Sequence, residues 1–302
     1  MAKVSIRHLT TYRYRNPVAF GEHRMMLRPL ESFDQRLIAS ELIVGPEPTL
    51  LRHLHDVSGA VVSVARFERR ADRLSFESRI RLDHSPQNAL EFEADEAMVG
   101  REAFAYAAED HPELARFIVP QHNADVEAWA RRFVRPVGKT RLSTLLSDMT
   151  HAIRAEFNYG VRLEGRPKSP SETLASRSGS CRDFAVLMIG AARSLGLAAQ
   201  FVSGYIYSGS QKAGASGGGH THAWVRVYVP GSGWTDFDPT NGIVGAEGLI
   251  RVACVADPRH AIPLYGTWAG LPADYLGMDV EVDIDVERVA EPAAPMRIAQ
   301  GG

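Results

Sequence analysis

The sequence predicts an α+β protein, with an antiparallel, sandwich-like β domain at the N-terminus and a mixed core of helices and strands behind it. Three observations predict this. Alternating apolar residues mark the first ~86 positions as strands. Helical spacing takes over from about Ala89. In the second half, a cysteine, a histidine and an aspartate stand at element boundaries, in an order that suits a thiol nucleophile with its base and orienter.

Within the β domain, Val4, Ile6, His8, Thr10, Tyr12 and Tyr14 alternate with their neighbours and put one face of a strand on a core. Leu37 to Val44, Gly59 to Phe67 and Leu74 to Leu82 read the same way. Asp56-Val57-Ser58-Gly59 and Arg70-Ala71-Asp72-Arg73 supply turns. His53, His55 and Asp56 resemble a metal cluster in composition, but a polar edge beside a turn accounts for them better. Pro112, Pro120 and Pro136 then punctuate a helical region. Leu142, Leu145, Leu146, Met149, Ile153 and Phe157 predict one amphipathic helix. Pro167 and Pro170 break the chain, and Ser171 to Leu174 gives a short helical turn before Gly179. The division expected is residues 1–110 for the β-rich domain, 111–290 for the core and 291–302 for a flexible Ala/Pro/Gly-rich tail.

Bulk properties narrow the function classes. The chain has 302 residues, 45% hydrophobic and 23% charged, enough to build an ample core. A net charge of −2 provides no field for nucleic acid. Two cysteines, Cys181 and Cys254, argue against a disulfide framework and for a reducing compartment. Charges interrupt the first residues too early for a signal-peptide apolar run, and no apolar stretch is long enough to span a bilayer. A cytoplasmic protein is expected, without membrane contact.

Cys181 opens a helix whose residues Phe184 to Ala192 are nearly all apolar, and Gly196 ends it. Ser180 is the expected N-cap, so Cys181 sits in the first turn. There the unpaired N–H groups and the positive dipole end favour a thiolate and could hold an oxyanion. Gly179 is expected to let a substrate approach the sulfur. Cys254, flanked by valine and alanine, reads as a buried hydrophobe. His222 opens a strand that carries His222, Trp224, Arg226 and Tyr228 on one face, expected to be the cleft side. Gly231-Ser232-Gly233 turns the chain into a second strand, Trp234 to Asp238, ended by Pro239. Asp238 can therefore hold the His222 ring. His220 rivals His222, and Asp236 rivals Asp238. The loop from Ser208 to Gly219 is glycine-rich and reads equally as an ordinary surface loop or as a mobile rim of the cleft, with no phosphate-binding pattern.

Arg177-Ser178-Gly179-Ser180-Cys181-Arg182-Asp183-Phe184-Ala185, His222-Ala223-Trp224 and Phe237-Asp238-Pro239-Thr240-Asn241-Gly242 closely resemble the bacterial transglutaminase-like proteins. The resemblance implies a papain-like transglutaminase core behind a β-rich N-terminal domain. It maps Cys181 as nucleophile, His222 as base and Asp238 as orienter. Trp224, Tyr159 and Gly179 become candidates for substrate contact, with Tyr159 a candidate for the oxyanion hole. The resemblance implies no cofactor, a peptide or amide substrate, and a partner of ATP-grasp type. Nothing matches the calcium sites of animal transglutaminases. The leading expectation is a cysteine-nucleophile peptidase or amidase. The alternatives are acyl transfer to an amine, a zinc site built from Cys181, His220, His222 and Asp238, and a non-catalytic scaffold.

Overall fold

The computed structural model describes residues 1–86, 97–100, 102–119, 123–162, 165–207 and 221–288. The predicted tail, the glycine-rich loop and His220 lie outside the described residues. The first five strands are β1 (Ala2–Met25), β2 (Gln35–Gly45), β3 (Leu50–His55), β4 (Val61–Arg66) and β5 (Ala71–His84). They form one curled antiparallel sheet in the order β2-β5-β1-β4-β3. The curl comes from β1, which spans 24 residues and changes neighbours half-way. Its first half pairs with β5, and its second half with β4. Pro17, which cannot donate to a ladder, falls where the β1–β5 register breaks between Arg13 and Val18. The alternation predicted for β1 is present: Val4, Ile6, His8 and Thr10 are buried, while Lys3, Ser5 and Arg7 are not. The sequence reading left out β3. It is an exposed edge strand without an apolar face, and His53 and His55 on it bond Ser63 and the Gly59 carbonyl of the adjoining hairpin.

The core begins with three short elements, β6 (Met98–Val99), α1 (His111–Ile118) and α2 (Ala124–Arg131). β7 (Thr140–Arg141) follows and leads directly into α3 (Leu142–Glu156). The predicted stripe of α3 is buried at Leu142, Leu145, Leu146, Met149 and Ile153. After β8 (Asn158–Tyr159) comes α4 (Pro170–Ser176). The Ser169 side chain caps α4 and Glu172 closes the capping box. Pro170, read from sequence as a break, starts this helix, because the first helical position needs no N–H. β9 (Ser178–Gly179) and α5 (Cys181–Ser194) complete the helical part. Gly196, at φ +84°, ends α5. A Cβ there would lie 2.4 Å from the Phe104 carbonyl oxygen, so both the turn and the close approach demand glycine.

A second antiparallel sheet carries the remaining site residues. Its strands are β10 (Ala199–Ile206), β11 (Thr221–Val229), β12 (Gly233–Asp238), β13 (Ile243–Val244) and β14 (Leu249–Val255), in the order β13-β12-β11-β10-β14. α5 packs against β10 and β11. One continuous hydrophobic core joins Val4, Ile6, Ile80 and Leu82 of the first sheet to Phe201, Tyr205 and Ile250 of the second, and to Phe184, Leu187 and Met188 of α5.

The chain then returns to its beginning. β15 (Leu264–Ala269) pairs with the second half of β1, and β16 (Tyr275–Arg288) runs along the first half from Ala2↔Arg288 to Tyr14↔Tyr275. The expected division of 111–290 as a separate core therefore needs correction, since residues 264–288 complete the N-terminal sheet. Sequence periodicity identifies a strand but not which strand it joins, because the partner lies far away in the chain, as Met25 does from Leu264 and Ala2 from Arg288. Truncation after Pro263 removes β15 and β16, exposes that edge of β1 along its length and uncovers the core residues against which Val282 packs. The expected result is loss of cooperative thermal unfolding, read by circular dichroism.

Candidate active site

The thiol is positioned by the start of α5. Ser180 has extended dihedrals (φ −90°, ψ 174°) and Cys181 is the first helical residue. Asp183 organises this turn. Its buried carboxylate accepts from the Ser180 N–H at 2.7 Å and Oγ at 2.9 Å on one oxygen. The other oxygen accepts from Arg162 Nη2 at 2.6 Å and the Lys168 N–H at 2.7 Å. A short parallel pair supports the same turn: Asn158 N donates to Arg177 O at 2.8 Å and Gly160 N to Gly179 O at 2.9 Å. This pairing sets Tyr159 beside Cys181. Burial first, then the negative charges of Cys181 and Asp238, push the Tyr159 hydroxyl up to about 12, so it stays an O–H donor.

The imidazole comes from the opposite side of the cleft. The turn at Gly231 to Gly233 fixes the β11–β12 register, with Val225 opposite Phe237, and brings Asp238 diagonally to His222. His222 Nε2 lies 2.8 Å from Asp238 Oδ2, with both side chains fully buried. Asp238 Oδ1 accepts from the Thr240 N–H at 2.9 Å, and Asn241 Nδ2 donates to Oδ2 at 2.7 Å. Among the described residues the other ring nitrogen, Nδ1, has no hydrogen-bond partner. Cys181 lines the same cavity as His222 and is close enough to act on the imidazole charge. Burial draws His222 toward the neutral form, but the charge and hydrogen bond of Asp238 outweigh it and hold the imidazolium well above the usual range. Burial likewise opposes ionisation of Asp238, and the His222 charge overcomes it and holds the carboxyl low. Cys181, His222 and Tyr159 line one cavity of about 160 Å³.

Three sequence expectations are revised. Trp224 does not face the cleft. It is fully buried with Val202, Ile206 and Leu249, and its Nε1 donates to Asp236 Oδ1 at 2.7 Å. Its ring lies nearly parallel to that of His222, with centroids 5.9 Å apart. Only His222, at the end of the strand face, reaches the cavity. Gly179 does not line the cavity either. A Cβ there would stand 2.7 Å from the Asp183 Cβ, so glycine is required for packing against the first turn of α5. Asp236, the rival orienter, is committed elsewhere. It faces Arg251 Nη1 at 3.5 Å and Arg226 Nε at 3.4 Å. Arg251 reaches back to the first sheet's connecting loop, donating to Asp34 Oδ1 at 2.5 Å and Ser32 Oγ at 3.0 Å. A buried chain Asp34–Arg251–Asp236–Trp224 thus ends on the stacked face of His222. Burial pushes the Cys254 thiol up, and it stands near Arg226 on the far side of the sheet.

The two parts of the fold have separate counterparts. Residues 127–239 match the transglutaminase-like superfamily and residues 4–83 the bacterial transglutaminase-like N-terminal region. The chain carries a transglutaminase-like core behind a bacterial transglutaminase-like N-terminal region. An uncharacterized protein of Mycobacterium tuberculosis is 28% identical over 269 residues, covering 86% of each chain. One from Mycobacterium leprae is 25% identical over 297 residues, 96% of this chain and 100% of that one. Among solved structures, a candidate cysteine protease from Cytophaga hutchinsonii superposes with a TM-score of 0.67 at 20% identity, over 94% of this chain and 90% of that one. That likeness is one of fold. Among the described residues no group of three or more His, Cys, Asp or Glu side chains could hold a metal ion, and no helix is long and apolar enough to cross a membrane.

Sequence reasoning missed Asp183 and Asn241. Asp183 was visible as the third residue after an N-cap serine, a capping-box position. Asn241 gave only a turn signal. The Asp34–Arg251 pair had no local signal at all. Removing one partner of a buried ion pair leaves the other uncompensated, so Asp34→Ala is expected to destabilise the fold by about 3–5 kcal/mol, measured by urea unfolding.

Proposed function

We propose that the protein is a cysteine-nucleophile amide hydrolase, a peptidase or amidase. The observation that supports this most directly is the buried His222–Asp238 pair with its second imidazole nitrogen turned to Cys181 at a helix start. The Cys181 thiol passes its proton to His222 as it becomes the nucleophile. The Cys181 sulfur attacks the amide carbon, forming a C–S bond and an oxyanion. The helix-start N–H of Cys181, which has no intrahelical acceptor, and the Tyr159 hydroxyl are positioned to receive that oxyanion. His222 gives its proton to the amide nitrogen, the C–N bond breaks and the amine leaves. Water then attacks the thioester while His222 takes its proton, and the C–S bond breaks to release the acid.

Water is the acceptor that the cleft favours. Arg162 and Arg182 line the cavity, and none of the described lining residues carries a carboxylate. Asp183 and Asp238 stand behind the reacting groups with their oxygens engaged. Arg162 is already paired with Asp183, so an incoming ammonium meets Arg182 and finds no carboxylate among the described lining residues, while water needs no counter-ion.

An amide substrate supplied with a labelled primary amine tests the choice of acceptor. Free acid should form faster than the amine adduct at millimolar amine. The reverse ratio would identify a transglutaminase. Iodoacetamide should alkylate Cys181 in preference to Cys254 in the folded protein, read by peptide mapping.

Substitutions test the assigned roles. His222→Ala should lower kcat by about 10²–10⁴-fold, and Tyr159→Phe by a smaller factor with KM nearly unchanged. The pH profile follows from the raised imidazolium. The alkaline limb of kcat/KM should lie above the ordinary histidine range of about 6.5. Asp238→Asn removes the charge that holds the proton on His222, so that limb should move to lower pH. An unmoved limb would show that another group titrates there.

A further inference from the structure

The cavity beside Cys181 has walls from both sheets. One wall is a two-strand patch of the N-terminal sheet, where Thr10 pairs with Val280 and Tyr12 with Met278. Phe201 and Ala223 of the second sheet face it. The Thr10 hydroxyl lies 3.2 Å from His8 Nε2, and His8 Nδ1 lies 3.1 Å from the Tyr205 hydroxyl. The polar atoms of His8 and Thr10 are thus engaged with each other and with Tyr205, and apart from the Tyr12 hydroxyl the side chains of this patch present carbon. The volume, about 160 Å³, is comparable with the apolar cavity of roughly 150 Å³ that admits benzene.

We propose that this chamber is the acyl-side subsite, and that it takes one compact, uncharged apolar side chain of leucine size. The proposal rests on the amide hydrolase reading above and names its substrate class: peptides or amides with such a residue at the scissile carbonyl. The assignment to the acyl side follows from the order of events. The amine must leave and water must enter while the acyl group stays on Cys181, so the part of the substrate between the two domain walls is the part that remains. The N-terminal sheet, including β16 from the end of the chain, becomes a determinant of specificity. A cationic side chain meets Arg182 and no carboxylate among the described lining residues, and an acidic one finds Arg162 already paired with Asp183 and otherwise mostly carbon walls. A hydrophobic pocket distinguishes one methylene by about 10–200-fold, so glycine should be a poor occupant.

Reversible aldehydes test this without requiring turnover. The thiol adds to the aldehyde carbon and its proton passes to the oxygen, giving a hemithioacetal. Acetyl-Gly, acetyl-Leu, acetyl-Phe, acetyl-Lys and acetyl-Glu aldehydes are compared for protection of Cys181 from iodoacetamide. Acetyl-Leu aldehyde should protect at a concentration at least about tenfold lower than the Gly, Lys or Glu compounds. Met278→Ala should shift the optimum from Leu toward Phe. Val280→Ala serves as a second variant, each checked for native circular dichroism. Equal protection across the panel, or an optimum indifferent to both variants, would overturn the subsite while leaving the hydrolase reading intact. A Cys181 no more reactive than Cys254 would overturn both.

Discussion

A histidine and a carboxylate removed together from water impose the main constraint on this structure. Either charge alone would be costly at full burial, and the pair is tolerable only with close geometry and every remaining lone pair satisfied. The chain meets that requirement locally. Asp238 stops β12, Thr240 and Asn241 turn their N–H groups back onto it, and the Asn241 side chain takes the oxygen shared with His222. The single position left open is His222 Nδ1, the nitrogen toward Cys181. Burial and site geometry are therefore one arrangement: the environment that makes the pair expensive leaves His222 at the cavity that Cys181 also lines.

The opposite side of the cleft is built on a second carboxylate with a different task. Asp183 ties the start of α5 to Ser180, Arg162 and Lys168, so the thiol stands on a fixed turn. Because α5 is buried nearly all round, that turn cannot shift without moving the core beneath it. Two rigid elements, a capped helix and a sheet hairpin, thus face each other across a gap of small volume. Catalytic geometry needs this rigidity more than it needs any single contact.

The N-terminal sheet is part of the same mechanical unit. It shares a hydrophobic core with the second sheet, supplies a wall of the cavity through β1 and β16, and sends Asp34 into the ion-pair chain that ends behind His222. Separate matches to an N-terminal region and a core family reflect two stretches of chain, yet the last strands cross back and close the first sheet.

Much of this was legible in the sequence because it depends on local periodicity and capping. Alternation in β1, the apolar stripe of α3, the serine cap before Cys181, the glycine ending α5 and the β11–β12 hairpin all follow from residues within a few positions of one another. His222 and Asp238 were legible for the same reason, since one tight turn fixes their register. Alternation failed at Trp224, because it assigns a face of a strand without saying what covers that face further along. It failed at Gly179 because a missing side chain can serve a neighbour's packing or a ligand's approach, and only coordinates distinguish them. The return of β16 to β1, the Asp34–Arg251 pair and the two-sheet wall join residues more than 200 positions apart. No short-range preference encodes such contacts. They are chosen when the whole chain buries its apolar faces together, so the sequence determined the candidate site residues and their local supports, and the tertiary structure decided what surrounds them.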